Sequence, residues 1–194
     1  MKIGIIPKIL ETNKNQYEYS VDMRLLDLFK NIFIKYKIHI INYHTKIDNS
    51  YKLVVISGGN DLIKFSKKKS DLIRHKFNNK ILRMAMSISV PILGICYGAQ
   101  YLALRYNSNF KKIKQSKKHL VKLSNEKKIL VNSYHNFAIT NVGKNLISAG
   151  IADDNTIEYF QHKKKKILGI MWHPERFDNF RKVDRAIIKK LICS

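Results

Sequence analysis

The chain has 194 residues, 45% of them hydrophobic, enough for one domain-sized core without disulfides or a structural metal. Two cysteines exclude a disulfide-rich secreted scaffold and a four-cysteine zinc site. The 37 Lys and Arg against 14 Asp and Glu give a formal net charge of +23, which favours anionic partners without choosing among nucleic acid, lipid and phosphorylated metabolites.

Lys2 to Ile6 reads as a strand, with Gly4 and Pro7 expected to shape a loop near a site. Glu11 to Tyr19 has no period and is expected to be a mobile, substrate-facing loop. Ser20 is expected to cap a helix from Val21 to about Lys35, with Val21, Leu25, Leu28, Phe29 and Ile32 on one face. Lys37–Ile41 and Lys52–Ser57 read as strands, the second ending in Gly58-Gly59. Ser70 to Ser87 has helical spacing, Pro91–Ile95 is a short strand, and a helix from Tyr97 to Tyr106 follows at once. This β-α-β-α order predicts an α/β domain with a largely parallel sheet. In the second half His119–Leu123, Ile129–Ser133, Leu146–Ile151, Thr156–His162 and Lys166–Trp172 read as strands, with tight turns at Asp153-Asp154-Asn155 and Lys163–Lys166. Val183 to Ile192 closes the chain as a helix. No repeat or linker divides it, so residues 1–194 are expected to form one domain. No signal-peptide pattern is visible and no apolar run approaches the roughly 20 residues that cross a bilayer, so a cytoplasmic location without a membrane partner is expected.

Three strand ends carry chemistry. Gly94-Ile95-Cys96-Tyr97-Gly98 has the form of a nucleophile elbow, a sharp strand-to-helix turn with small residues on either side. It places Cys96 at a helix N-terminus, where the thiolate is favoured, and aims the Tyr97 amide into the site as an oxyanion donor. Trp172-His173-Pro174-Glu175 offers His173 as the proton acceptor and Glu175 to orient its ring. Ser57-Gly58-Gly59-Asn60-Asp61 supplies backbone N–H groups, with the Gly59 amide as second oxyanion donor.

Pro91 to Gln100 together with Met171 to Glu175 resembles the class I glutamine amidotransferase superfamily. Val131-Asn132-Ser133-Tyr134-His135 and Ile56 to Asp61 are similar to its γ-glutamyl-γ-aminobutyrate hydrolase branch. The resemblance implies a flavodoxin-like three-layer α/β/α sandwich with a mostly parallel central sheet, to which the strands and tight turns read in the C-terminal half are expected to add antiparallel pairings. It also implies a Cys96-His173-Glu175 triad, hydrolysis of γ-glutamyl amides through a thioester, and no metal or cofactor. Gln100 matches the residue at the γ-glutamyl group, and Ser133, Tyr134 and His135 match the loop receiving the substrate's α-amino and α-carboxylate ends. Gly58 and Asn60 are expected beside them, and Glu158 matches a family acidic residue or is a surface strand residue. The branch departs where Asn136 and Phe137 follow the Asn-Ser-x-His segment and where His75 and Asn78 replace acidic residues after Arg74.

A +23 protein repels a cationic polyamine conjugate, so an anionic leaving group is expected. Small stand-alone members of the superfamily act in surface-polysaccharide pathways, one on γ-glutamyl-CDP-amidate, and this short basic chain is similar to such an enzyme. Lys14, Arg24 and Lys64 are expected to flank the mouth. The alternative is a glutaminase subunit passing ammonia to a synthase partner. A third reading, a polyanion binder, rests on Lys67–Lys69, Lys111-Lys112, Lys117-Lys118 and Lys163–Lys166. These runs lack interleaved aromatics that would stack bases, so no nucleic-acid partner is expected. His119 is expected to be a packing or surface residue, and Cys193 structural or exposed.

Overall fold

The computed structural model describes residues 1–114 and 118–193, the Cys193 side chain excepted, so the expectations on Lys117 and on the Cys193 thiol lie outside the described residues. In chain order come β1 (Lys2–Ile6), β2 (Lys8–Asn13), β3 (Gln16–Ser20), α1 (Met23–Ile32), β4 (Lys37–Ile40), β5 (Tyr51–Ile56), α2 (Lys69–Ser87), β6 (Ile92–Ile95) and α3 (Tyr97–Arg105). The second half holds β7 (Asn109–Lys112), β8 (Lys118–Leu123), β9 (Lys128–Asn132), β10 (Phe137–Asn141), β11 (Leu146–Ala152), β12 (Ile157–His162) and β13 (Ile167–Ile170). A one-turn 3-10 helix, Pro174–Arg176, and α4 (Lys182–Cys193) complete it.

The main sheet runs β4-β1-β5-β6-β13-β12-β11-β8-β9, with β10 beside β12 and β7 beside β10. Its first five strands are parallel, and the rest of the path is antiparallel. β6 and β13 are buried along their whole length, as strands covered on both faces must be. Alternate side chains supply two cores. Val54, Ile56, Phe77, Ile81 and Leu102 pack on the α2/α3 face. Leu53, Val55, Leu25, Phe29, Ile95 and Ile188 pack on the α1/α4 face. Helices on both faces of a sheet whose order reverses at β1 give the flavodoxin-like sandwich. In such sheets sites form beyond the carboxyl ends of the strands, near the reversal.

Several expectations need correction. Residues 11–19 are no loop: β2 and β3 pair as an antiparallel hairpin, turned at Asn15 with φ of +64°. Only Ile9 of the two strands is buried, so no alternation marks them. Ser20 pairs with Lys8 inside that hairpin and cannot cap α1; the cap is Asp22, whose carboxylate accepts from the Arg24 N–H at 3.0 Å. Strands β7 and β10 fall where no strand was expected. Gly4 shapes no loop but lies inside β1, where a Cβ would fall 2.7 Å from Ile41 Cδ1. No helix among the described residues is long and apolar enough to cross a membrane.

Candidate active site

Four chain segments meet beyond the carboxyl ends of β1, β5, β6 and β13. Cys96 follows β6 as the N-cap of α3, with φ of +51°, a positive value that a side chain adopts only when its surroundings enforce it. The enforcement is packing. A Cβ on Gly94 would lie 2.4 Å from the Gly98 carbonyl carbon, and one on Gly98 only 2.1 Å from the Ile56 oxygen. Both positions therefore need glycine, and the backbone turns sharply enough to leave the Cys96 thiol at the start of α3. The Cys96 N–H is bonded to the Ile170 oxygen at 2.8 Å, so the elbow is tied to the strand that delivers His173.

His173 follows β13 and is buried. Its Nδ1 contacts Glu175 Oε1 at 2.6 Å, which leaves Nε2 for the thiol, with which it hydrogen-bonds. The backbone of His173 is held twice by Asn132, through Asn132 Nδ2 to the His173 oxygen and the His173 N–H to Asn132 Oδ1, each at 2.8 Å. Burial pushes the Cys96 thiol up, but the His173 and His135 rings outweigh it and leave the thiol below its usual value. Burial pulls His173 down, while the Cys96 sulfur and Glu175 lift it to about 9. The contacts therefore shift the pair toward thiolate and imidazolium.

The Gly58-Gly59 turn is held from behind by Arg74 of α2, a fully buried residue. Its guanidinium donates to the carbonyls of Ser57 (2.6 Å), Gly58 (3.1 Å) and Gly59, and its plane lies 4.1 Å over the Tyr97 ring. In a trans peptide the N–H points opposite the C=O. Drawing these carbonyls back turns the amides of Gly58, Gly59 and Asn60 the other way, and Gly59 borders the cavity that holds Cys96. Burial lowers Arg74 to about 10, and it stays charged at neutral pH.

That cavity, about 120 Å³, is lined by Gly59, Cys96, Tyr97, Gln100, Tyr134, His135, Phe137, His173 and Arg176 among others. Gln100 Nε2 donates to the Phe137 oxygen at 2.7 Å and steadies its far wall. Tyr134 is 49% exposed, and Ser133 lies behind, its Oγ 3.3 Å from His135 Nε2. Asn60, expected at the substrate, has its side chain committed elsewhere. Its Oδ1 accepts from Ile9 N–H and Arg74, and its Nδ2 donates to the Ile9 oxygen and Asp71 Oδ1, all within 2.8–2.9 Å. Glu158 is no surface residue: it is 1% exposed, 3.5 Å from both His119 and His135.

The basic rim also differs from expectation. Lys14 is exposed in the hairpin turn, the Arg24 guanidinium is bonded to the Phe177 oxygen, and Lys64 lies over Phe65 and Phe110. A second cavity, about 50 Å³, shares Gly59, His173 and Arg176 with the first and adds Lys8, Asp22 and Gly58. The Lys and Arg side chains that line these two cavities are thus Lys8 and Arg176, which neither periodicity nor motif marked. Arg74 and Asn132 were both named in the sequence, Asn132 within a quoted segment, but their roles in holding the site were missed. Among the described residues no cluster of His, Cys, Asp and Glu could hold a metal ion.

The family model for glutamine amidotransferase class-I matches residues 13–186. A Campylobacter jejuni protein named gamma-glutamyl-CDP-amidate hydrolase is 40% identical over 154 residues, 77% of this chain and 74% of that protein. A glutamine-hydrolyzing GMP synthase subunit of Thermoplasma volcanium is 30% identical over 95 residues, 44% of this chain and 47% of that one. The crystal structure of a GMP synthase subunit from Thermoplasma acidophilum superposes with a TM-score of 0.73 at 22% identity, covering 100% of this chain and 92% of that one.

Proposed function

Because the chain belongs to the class I glutamine amidotransferase family, we propose that it is a cysteine hydrolase of γ-glutamyl amides whose substrate is γ-glutamyl-CDP-amidate. The observation that carries the chemistry is the buried line from the Cys96 thiol through the His173 ring to Glu175, at the foot of a cavity lined by Gly59 and Tyr97. The Cys96 thiolate attacks the γ-carbonyl, and the resulting oxyanion is met by the amides of Gly59 and Tyr97. His173, charged in the resting pair, gives its proton to the leaving nitrogen as the C–N bond breaks and the thioester forms. It then takes a proton from water, which attacks the thioester and releases glutamate. Glu175 holds the ring and its charge through both steps. Gln100, Tyr134 and His135 enclose the glutamyl end, and Gly58 keeps the space beside the His173 ring open.

The substrate assignment is supported by the Campylobacter relative and by a net charge that attracts a nucleotide conjugate. The test is glutamate release from γ-glutamyl-CDP-amidate, γ-glutamyl-putrescine, γ-glutamyl-aminobutyrate and glutamine, with Cys96→Ala as control. Preference for the nucleotide conjugate, abolished in Cys96→Ala, is expected. Turnover of glutamine alone would refute the assignment. It would favour the second reading, in which the chain delivers ammonia to a synthase, for which the 30% identity to a GMP synthase component is the supporting observation.

A further inference from the structure

We propose that the cleft between Lys8 and Arg176 binds the phosphate groups of the leaving group, with these two side chains as its ligands. The inference rests on the reading of the chain as a hydrolase of a γ-glutamyl nucleotide conjugate. His173 must hand its proton to the leaving nitrogen, so the leaving group departs along the His173 side of the thiol. The cavity that holds Cys96 and the smaller one next to it share Gly59, His173 and Arg176 as walls. The first is lined by Gln100, His135 and Phe137 as well as Cys96 and suits the glutamyl end. The second is lined by His173, Gly58, Lys8 and Asp22 and is the space available to the other half.

Lys8 is delivered there by the fold. It opens the hairpin directly after β1, and its neighbour Ile9 is held by Asn60 through both backbone groups at 2.9 Å. Its stem crosses the Gly59 turn, where a Cβ would lie 3.0 Å from Lys8 Cδ. Among the described residues Lys8 has no ion-pair partner. Arg176 stacks 4.6 Å over the half-exposed Tyr134 ring, and its Nε is 3.8 Å from Asp22 Oδ2, the outer limit of an ion pair. Asp22 is the one competing carboxylate in the cleft besides Glu175, which His173 occupies, and its other oxygen caps α1. Two cations with spare donors, facing a cleft that begins at the proton donor, fit a diphosphate. The exposed Tyr134 ring beside Arg176 offers a flat surface to a base.

The experiment compares kcat/KM for γ-glutamyl-CDP-amidate with that for glutamine in the parent, Lys8→Gln, Arg176→Gln and the hairpin-tip control Lys14→Gln. The ratio is expected to fall about tenfold or more in each cleft variant, one charge-assisted hydrogen bond's worth, and to hold in Lys14→Gln. Titration of Cys96→Ala protein with cytidine diphosphate reads the cleft without turnover, and weaker binding by a similar factor is expected when Lys8→Gln or Arg176→Gln is added. A parent that prefers the conjugate, with cleft variants that keep both the ratio and the affinity, would overturn the inference and leave the substrate reading standing. A parent with no preference would overturn the substrate reading, and failure of cytidine diphosphate to bind would then overturn the cleft as well.

Discussion

Gly58→Ala is the sharpest probe of the site, because one added methyl strikes the reacting ring. The Cβ would stand 2.5 Å from His173 Cε1, 3.3 Å from Nε2 and 3.5 Å from Cys96 Cβ. Carbon atoms rest at about 3.5–4.0 Å, so the ring must retreat by about 1 Å. It has nowhere to go without loss. Nδ1 is tied to Glu175 at 2.6 Å, Asn132 holds the backbone on both sides, and the preceding Trp172 is fully buried. A displacement of about 1 Å in a reacting group costs about 10²-fold in rate, close to 2.7 kcal/mol of barrier. Unlike Gly59, with φ of +79°, Gly58 is not in the left-handed region, so alanine adds no backbone strain. The expected result is a kcat/KM for glutamate release about 10²-fold below the parent. The midpoint of Cys96 alkylation by iodoacetamide should move to higher pH as the imidazolium withdraws. Turnover within about threefold of the parent, less than about 0.7 kcal/mol, would refute the placement of the ring.

Three further outcomes follow from the same geometry. His173→Ala removes the cation that favours the thiolate, so the alkylation midpoint of Cys96 should rise from its lowered position, and an unchanged midpoint would show that the ring does not act on the sulfur. Arg74→Lys keeps a charge but lacks the fork that gathers three carbonyls, and should lower kcat by about 10²–10³, as the loss of one oxyanion donor does, with KM changed far less; a rise in KM alone would place Arg74 elsewhere in the chemistry. Asp184→Ala strips partners from the buried Trp172 indole N–H (2.9 Å) and from Arg181 (2.7 and 2.9 Å), so about 3–5 kcal/mol of stability and about 6–20 °C of Tm should be lost in a thermal melt.

The parallel half of the fold was legible because its strands are apolar runs buried on both faces and its helices carry period. β5, β6 and α2 fall within a residue or two of the reading. The hairpin at residues 8–20 was not legible, since it lies on the surface and its one buried side chain, Ile9, makes no pattern. β7 and β10 were missed because each is a short strand whose pairing is set by tertiary placement. At the site, Cys96, His173 and Glu175 could be read from the elbow and the His-Pro-Glu segment because a turn and a tripeptide are local, and the structure brings the three together. Arg74, Asn132 and Asp184 act across 15 residues, 41 residues and 12 residues of chain. No local pattern distinguishes a buried Arg that gathers carbonyls from a helix-face Arg in water. The expected rim of Lys14, Arg24 and Lys64 failed for a related reason, since contacts to residues distant in the chain or in another element hold Arg24 at the Phe177 oxygen and Lys64 over Phe110. Lys163 to Lys166 form the turn that enters β13, at the opposite end of that strand from His173, so much of the conspicuous charge lies away from the thiol.

Asn60 joins two parts of the fold. On one side stands the turn after β5, braced by Arg74 and Asp71. On the other stands a two-stranded ribbon that pairs with no strand of the main sheet. The junction includes two hydrogen bonds to the Ile9 backbone; Asn15, Tyr17 and Tyr19 add contacts to Lys69, Phe77 and Tyr43, and no hydrogen bond described for Leu10 to Tyr19 reaches Cys96, His173 or Glu175. Such a joint lets recognition diverge while hydrolysis stays the same. A ribbon grafted from position 8 onward, with a different residue in place of Lys8 and Ile9 kept, is expected to redirect the same thiol to a different amide.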